Sequence, residues 1–100
     1  MATLSEMIGS GIEWMRRERG LIQRQLAQRA GMPTSTLMGI ENGHGASFQK
    51  IEGIARAFGI RPSGLMQVAE ELHNSRNPSA DFYAGDDVVA ALVAKIRSNQ

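Results

Sequence analysis

Between Gln23 and Asn42 the chain reads QRQLAQRAGMPTSTLMGIEN, and no other stretch restricts the possible fold as tightly. Leu26, Ala27 and Ala30 recur at helical spacing before Gly31, and Leu37 and Ile40 do so after it. Apolar residues three and four apart share one helical face, so the pattern predicts two short helices that turn a corner at the glycine. A glycine just past a helix end supplies the left-handed backbone conformation that costs any residue with a side chain energy. Ala27 falls where two helix backbones must approach closely, and a larger side chain would hold them apart. With Leu37 and Ile40 facing inward, the second helix leaves Thr34, Ser35, Met38 and the edge at Gly39 outward. These residues are small or uncharged, which suits a helix laid closely against another surface.

One hundred residues allow one small domain and an appendage. Hydrophobic residues make up 42% of the chain but only five are aromatic, so the core must be aliphatic, filled by Leu, Ile, Met and Ala. The chain has no cysteine, which excludes a disulfide framework and a thiolate metal site. His44 and His73 are the only histidines, too few to complete a ligand set, and no metal is expected. No apolar run approaches the roughly 20 residues a bilayer requires, and no secretory signal opens the chain, so no membrane association and a cytoplasmic location are expected. Nor is there a nucleophile–base pair, a paired acidic site or a glycine-rich phosphate loop at working spacing. No enzyme activity and no cofactor are therefore expected. The net charge of +1 is unevenly spread: residues 1–69 hold eight Lys/Arg against five Asp/Glu, residues 70–100 three against five. An anionic partner would thus be held by a few placed contacts rather than by a strong general field.

Thr3 to Arg19 reads as a first helix, opened by a capping box of Thr3 and Glu6 and lined by Leu4, Ile8, Ile12 and Met15. Gly9 and Gly11 weaken it by about 1 kcal/mol each if exposed. Trp14 is either a partly buried packing residue or an anchor for a partner. Ser47 caps a helix that runs to Phe58, with Phe48, Ile51, Ile54, Ala55 and Phe58 on a core face and Gly59 as its stop. Arg61-Pro62 opens a fifth helix whose Leu65, Met66 and Ala69 pack inward. Asn, Ser, Pro and Gly cluster from His73 to Gly85, as in a linker, with Phe82 and Tyr83 expected to dock on the domain or on a second subunit. Asp86 to Ser98 reads as a sixth helix with a stripe of Val88, Val89, Leu92, Val93 and Ile96. That stripe is buried on its own chain, on a second subunit or on a partner, or else the helix is disordered. The organisation read is a domain over 1–73, a linker over 74–85 and an amphipathic helix over 86–98.

Four motifs in order, RRERG from Arg16, QRQLAQRAGM from Gln23, IENG from Ile40 and IARAFGI from Ile54, resemble the phage repressor/Cro (XRE) family of helix-turn-helix DNA-binding proteins. The resemblance runs from Ser5 to Glu71. It implies an all-α fold: a five-helix lambda-repressor-like DNA-binding domain, here with a C-terminal extension containing a sixth helix. It implies a sequence-specific regulator of transcription that binds double-stranded DNA as a homodimer, most simply a repressor, with a recognition helix in the major groove. The alternative is an antitoxin-type protein whose C-terminal segment binds a partner protein.

Mapped onto this chain, the family pattern makes Thr34, Ser35, Met38 and Gly39 the base-facing residues. None is Arg, Asn or Gln, whose paired bonds to one base discriminate by about 1–3 kcal/mol, so weak direct readout supplemented by DNA shape is implied. Gln23, at the start of the second helix, Arg24, Thr36, Asn42 and His44 are implied phosphate contacts, Gln23 being implied also to buttress the start of the recognition helix and His44 being equally readable as an exposed loop histidine. Arg16 and Glu41 are implied to pair and clamp the first helix to the recognition helix. Arg17, Arg19 and Lys50 divide between solvated surface charge and phosphate contact. Two residues depart from the pattern. Ile22 replaces a capping Ser or Thr, a loss of about 1 kcal/mol, and Pro33 does the same before the recognition helix, leaving Thr34 either as a substitute cap or as a base reader.

Overall fold

The first helix, α1 (Leu4–Glu18), begins where the sequence puts its cap: Glu6 N donates to Thr3 Oγ1 at 3.1 Å. The Thr3 hydroxyl in turn donates to Glu6 Oε1 at 3.2 Å, so the carboxylate is held by the hydroxyl of the cap. In a computed structural model that describes residues 2–76 and 87–98, α1 is followed by α2 (Gln23–Ala30), α3 (Thr34–Glu41), α4 (Phe48–Phe58), α5 (Pro62–Arg76) and α6 (Asp87–Ser98). No strand occurs among the described residues, and the fold is all-α, a five-helix domain with a further helix at its C-terminal end. None of these helices is long and apolar enough to cross a membrane.

Packing rather than local propensity holds the short helices. α2 and α3 are eight residues each, below the length at which a helix persists alone in water. Ile12, Met15, Leu26, Leu37, Ile54, Leu65 and Val68 are completely buried. Each such side chain contributes about 1.5–3 kcal/mol, several times what propensity adds per residue. Trp14 is partly buried against this core, the packing reading of the two.

Gly9 and Gly11 are not exposed weak points of α1 but its points of closest approach. A β-carbon on Gly9 would collide with the Ile40 carbonyl oxygen of α3, and one on Gly11 would lie 2.9 Å from Ala69 Cα of α5. Through them α1 lies against both helices at backbone distance. The cost of a helical glycine is thus set against close packing on two sides.

Ile22, the residue before α2, is extended (φ −83°, ψ 161°) and offers no side-chain cap. Only the reciprocal bond survives: Ile22 N donates to Gln25 Oε1 at 3.0 Å. The side chain is 53% exposed and gains little by packing. Ile22→Thr is therefore expected to stabilise the fold by about 0.5–1 kcal/mol, since it supplies the missing acceptor and gives up little burial. Thermal melting followed by circular dichroism should show a rise of a few degrees.

In α4, Ser47 Oγ accepts from Lys50 N at 3.2 Å, and Ile51, Ile54, Ala55 and Phe58 are buried as their spacing requires. Phe48 departs from the reading that put it on this core face: it is 91% exposed. As the first residue of α4 it shares the stripe's direction but overhangs a groove instead of meeting a neighbouring helix. α5 buries Leu65, Val68, Ala69 and Leu72, while Met66 is only half-buried and lines that same groove. α5 also continues to Arg76, three residues into the stretch read as a linker from 74, because the Asn74-Ser75 pair does not break a helix already packed on α1. The rest of that stretch, with Phe82 and Tyr83, lies outside the described residues.

α6 packs against α5 of its own chain. Ile96 is 4% exposed and joins the core, with Leu92 partly buried beside it. Arg97 pairs with Glu71 of α5 and Lys95 with Glu18 of α1. Of the predicted stripe, the side chains of Val88, Val89 and Val93 lie outside what is described.

Candidate nucleic-acid interface

The corner between α2 and α3 is built on Gly31, at φ 74° and ψ 36° in the left-handed region. Past it, Met32 N donates back to Ala27 O at 3.0 Å, satisfying a carbonyl at the end of α2 while the chain swings toward α3. Leu26 and Ala27 from one helix and Leu37 and Ile40 from the other are all buried, which fixes the angle at which α3 leaves the corner.

At the far end of α3, Glu41 gathers donors from two other elements. Arg16 donates to it twice, from Nε to Oε2 at 2.7 Å and from Nη2 to Oε1 at 3.0 Å. The remaining nitrogen, Nη1, donates to Leu21 O at 2.9 Å, and Gln23 Nε2 donates to Glu41 Oε1 at 3.0 Å. Both charged side chains are buried, at 11% exposure for Arg16 and 1% for Glu41. Its hydrogen bonding with Glu41 raises the pKa of the Arg16 guanidinium above the ordinary value and outweighs the opposite effect of burial. The pair ties α1, the turn before α2, α2 and α3 into one body.

Gln23 is thus engaged by Glu41 at the end of α3, where the resemblance implied a buttress for the start of that helix, and one of its two amide N–H bonds is spent inside the protein. The link was invisible along the chain because its partner lies 18 residues away. It holds the start of α2 against the end of α3.

The outward face of α3 lies opposite Leu37 and Ile40. Ser35, Met38 and Asn42 are exposed, and Thr34, Thr36 and Gly39 are half-buried. α3 starts on Pro33 with no side-chain cap, so Thr34 stands as the first helical residue and does not serve as the cap. Asn42 closes the helix, its N–H donating to Met38 O at 3.0 Å. The loop then folds back, with His44 N donating to Gly39 O at 3.0 Å and the imidazole beside Gly39. Gln23, Gly39, Asn42 and His44 therefore gather around one end of α3, with Thr34 and Ser35 at the other. Arg24 is exposed at the start of α2.

Two of the arginines left open by the sequence have partners elsewhere. Arg17 pairs with Glu13 one turn back on α1, at 3.2 Å. Arg19 donates to Phe58 O at 3.1 Å and stacks over the Phe58 ring at 5.8 Å, closing the end of α4. Neither pairing was read from the sequence, although a basic residue opposite the last carbonyls of a helix is a known cap. Lys50 is exposed.

The helix-turn-helix family matches residues 12–65, the span that runs from α1 through the α2–α3 corner into α5. The chain is similar to the competence pilus inhibition repressor of Acinetobacter baylyi, with 32% identity over 76 residues, 75% of this chain and 69% of that protein. No solved structure matches the chain. A glycine corner, a buried Arg–Glu clamp behind it, a small-residue helix in front of it and these two matches together place the chain in the phage repressor/Cro (XRE) family of helix-turn-helix DNA-binding transcriptional regulators.

Proposed function

We propose that the protein is a sequence-specific homodimeric repressor that lays α3 in the major groove of duplex DNA. The observation that carries this is the outward face of α3: Thr34, Ser35, Met38 and Gly39 stand clear of the core on a helix whose far end is clamped by three hydrogen bonds to Glu41. Small side chains let the helix backbone approach base edges, and Thr, Ser and Met can bond singly or touch thymine methyls. Gln23 through its second amide N–H, Arg24, Thr36, Asn42 and the loop of His44 flank the groove along the phosphates. The name of the Acinetobacter baylyi relative supports repression as the direction of regulation.

Dimerisation is supported by a groove of about 350 Å³ lined by Leu4, Ile8, Ile51, Pro62 and Met66, with exposed Phe48 at its edge and no charged residue along it. A projecting aromatic and a hollow on one face are self-complementary, as a two-fold interface requires, and the absence of charge removes like-charge repulsion between copies. α6 spends Ile96 and Leu92 on its own domain, which favours this face over α6 as the contact and speaks against an antitoxin-type capture of a partner by the C-terminal segment.

Selection from random duplexes tests the reading. It is expected to return two symmetric half-sites about 34 Å apart, bound with strong salt dependence. Phe48→Asp should leave the fold intact, since the residue is exposed, yet sediment as a monomer and bind the selected site at least about ten-fold more weakly because the second half-site no longer adds its contacts. Selection of a single unpaired half-site, with Phe48→Asp sedimenting as the unaltered protein does, would count against the dimer.

A further inference from the structure

The outward face of α3 has no side chain of its own that bonds two base atoms at once, and toward its C-terminal end, at Gly39, it has no side chain at all. Ser35 and Gly39 are four residues apart and share the side of the helix opposite Leu37 and Ile40. The space beside Gly39 nonetheless has a neighbour. Gly43, at φ 88°, turns the chain back after α3, and a side chain there would collide with Glu6 of α1, so the turn is pinned in place. His44 follows it, hydrogen-bonded through its N–H to Gly39 O at 3.0 Å. A β-carbon on Gly39 would lie 3.6 Å from His44 Nδ1, ordinary contact distance. The imidazole therefore lies beside the helix, within contact distance of where a side chain of residue 39 would begin, and His44 is exposed.

We infer that His44 is a base-reading residue lent to α3 by the loop, its ring occupying the slot left open at Gly39 and directing an N–H to the acceptor edge of a guanine. This rests on α3 docking in the major groove, and it moves His44 from the phosphates to the bases. The chemistry follows from the ring. Guanine presents two acceptors in the major groove, N7 and O6, and an imidazole N–H is a donor with a fixed direction. Thr34, Ser35 and Met38 carry no comparable planar donor. Gly39 is then needed for what it lacks, since a long side chain there would push the ring away from the helix.

The test compares binding-site selections on random duplexes for the full chain and for His44→Ala. The unaltered protein is expected to select a guanine at one position of each half-site. His44→Ala should select the same site with that position alone relaxed, and bind the original site about ten-fold more weakly. If His44→Ala keeps every base preference and loses affinity uniformly, His44 is a phosphate contact and the inference fails while the docking stands. Unchanged binding by His44→Ala has the same meaning for the inference. If the unaltered protein selects no sequence, the docking itself fails and the inference falls with it.

Discussion

Arg16→Ala is expected to destabilise the fold by about 3–5 kcal/mol. The reason is what remains behind. Glu41, at 1% exposure, loses both Arg16 bonds and keeps only the one from Gln23, so a carboxylate is left buried without its counter-charge. The Leu21 carbonyl loses its donor at the same time. Arg16→Lys should recover only part of the loss, because an ammonium cannot donate along two parallel bonds to the carboxylate and also reach Leu21 O. In a domain of this size the melting temperature of Arg16→Ala should fall by more than about 10 °C. A fall of only a degree or two would mean that the pair is solvated and clamps nothing. Replacing both partners with apolar residues of similar volume is expected to be much milder, since the cost lies in stranding one charge more than in the pair's net strength.

Ser35→Glu is expected to abolish operator binding, with a loss of at least about 100-fold, while leaving the fold unharmed. Two charges meet in that contact. A carboxylate brought into the major groove faces the phosphates of both strands and has no base donor at every step to compensate it. The fold is spared because Ser35 is exposed in the first turn of α3, where a negative charge interacts favourably with the helix dipole. Melting and DNA binding should therefore separate cleanly. Gel-shift or anisotropy measurements on the selected site would show it, and full affinity in Ser35→Glu would place the DNA on another face of the molecule.

How far the sequence could be read depended on how local each constraint was. Gly31 was legible because a left-handed corner between two apolar patterns leaves little choice of residue, and α3's outward face followed from the same spacing. Thr3, Ser47 and Gly59 were legible as caps and stops for the same reason. The Arg16–Glu41 pair spans 25 residues and came within reach only through resemblance. Gly9 and Gly11 carry their propensity cost only where exposed, and the helix that lies across from each of them is not legible from α1 alone. Phe48 was misjudged: a periodic stripe tells which direction a side chain takes but not where the opposing surface stops. Gln23 is read from the resemblance as bracing the start of α3, whereas its partner Glu41 stands at the end of that helix, a difference that spacing along the chain does not carry. Glu71, buried at 5% and paired with Arg97, gives no local sign in the sequence, since its partner stands 26 residues away.

The attachment of α6 carries a practical consequence for any titration with electrolyte. Lys95 and Arg97, which seat the helix through Glu18 and Glu71, each leave 53% of the side chain in water. Their acid partners are more buried, Glu71 at 6% and Glu18 at 23%, so mobile ions shield these pairs less than they shield phosphate contacts. Raising the concentration of simple salt is thus expected to release the duplex first and to weaken the two pairs of the C-terminal helix less, with Ile96 still buried. The two are separate equilibria: a binding slope counts only the ions released with the duplex, whereas the loosening of α6 is read on the protein alone.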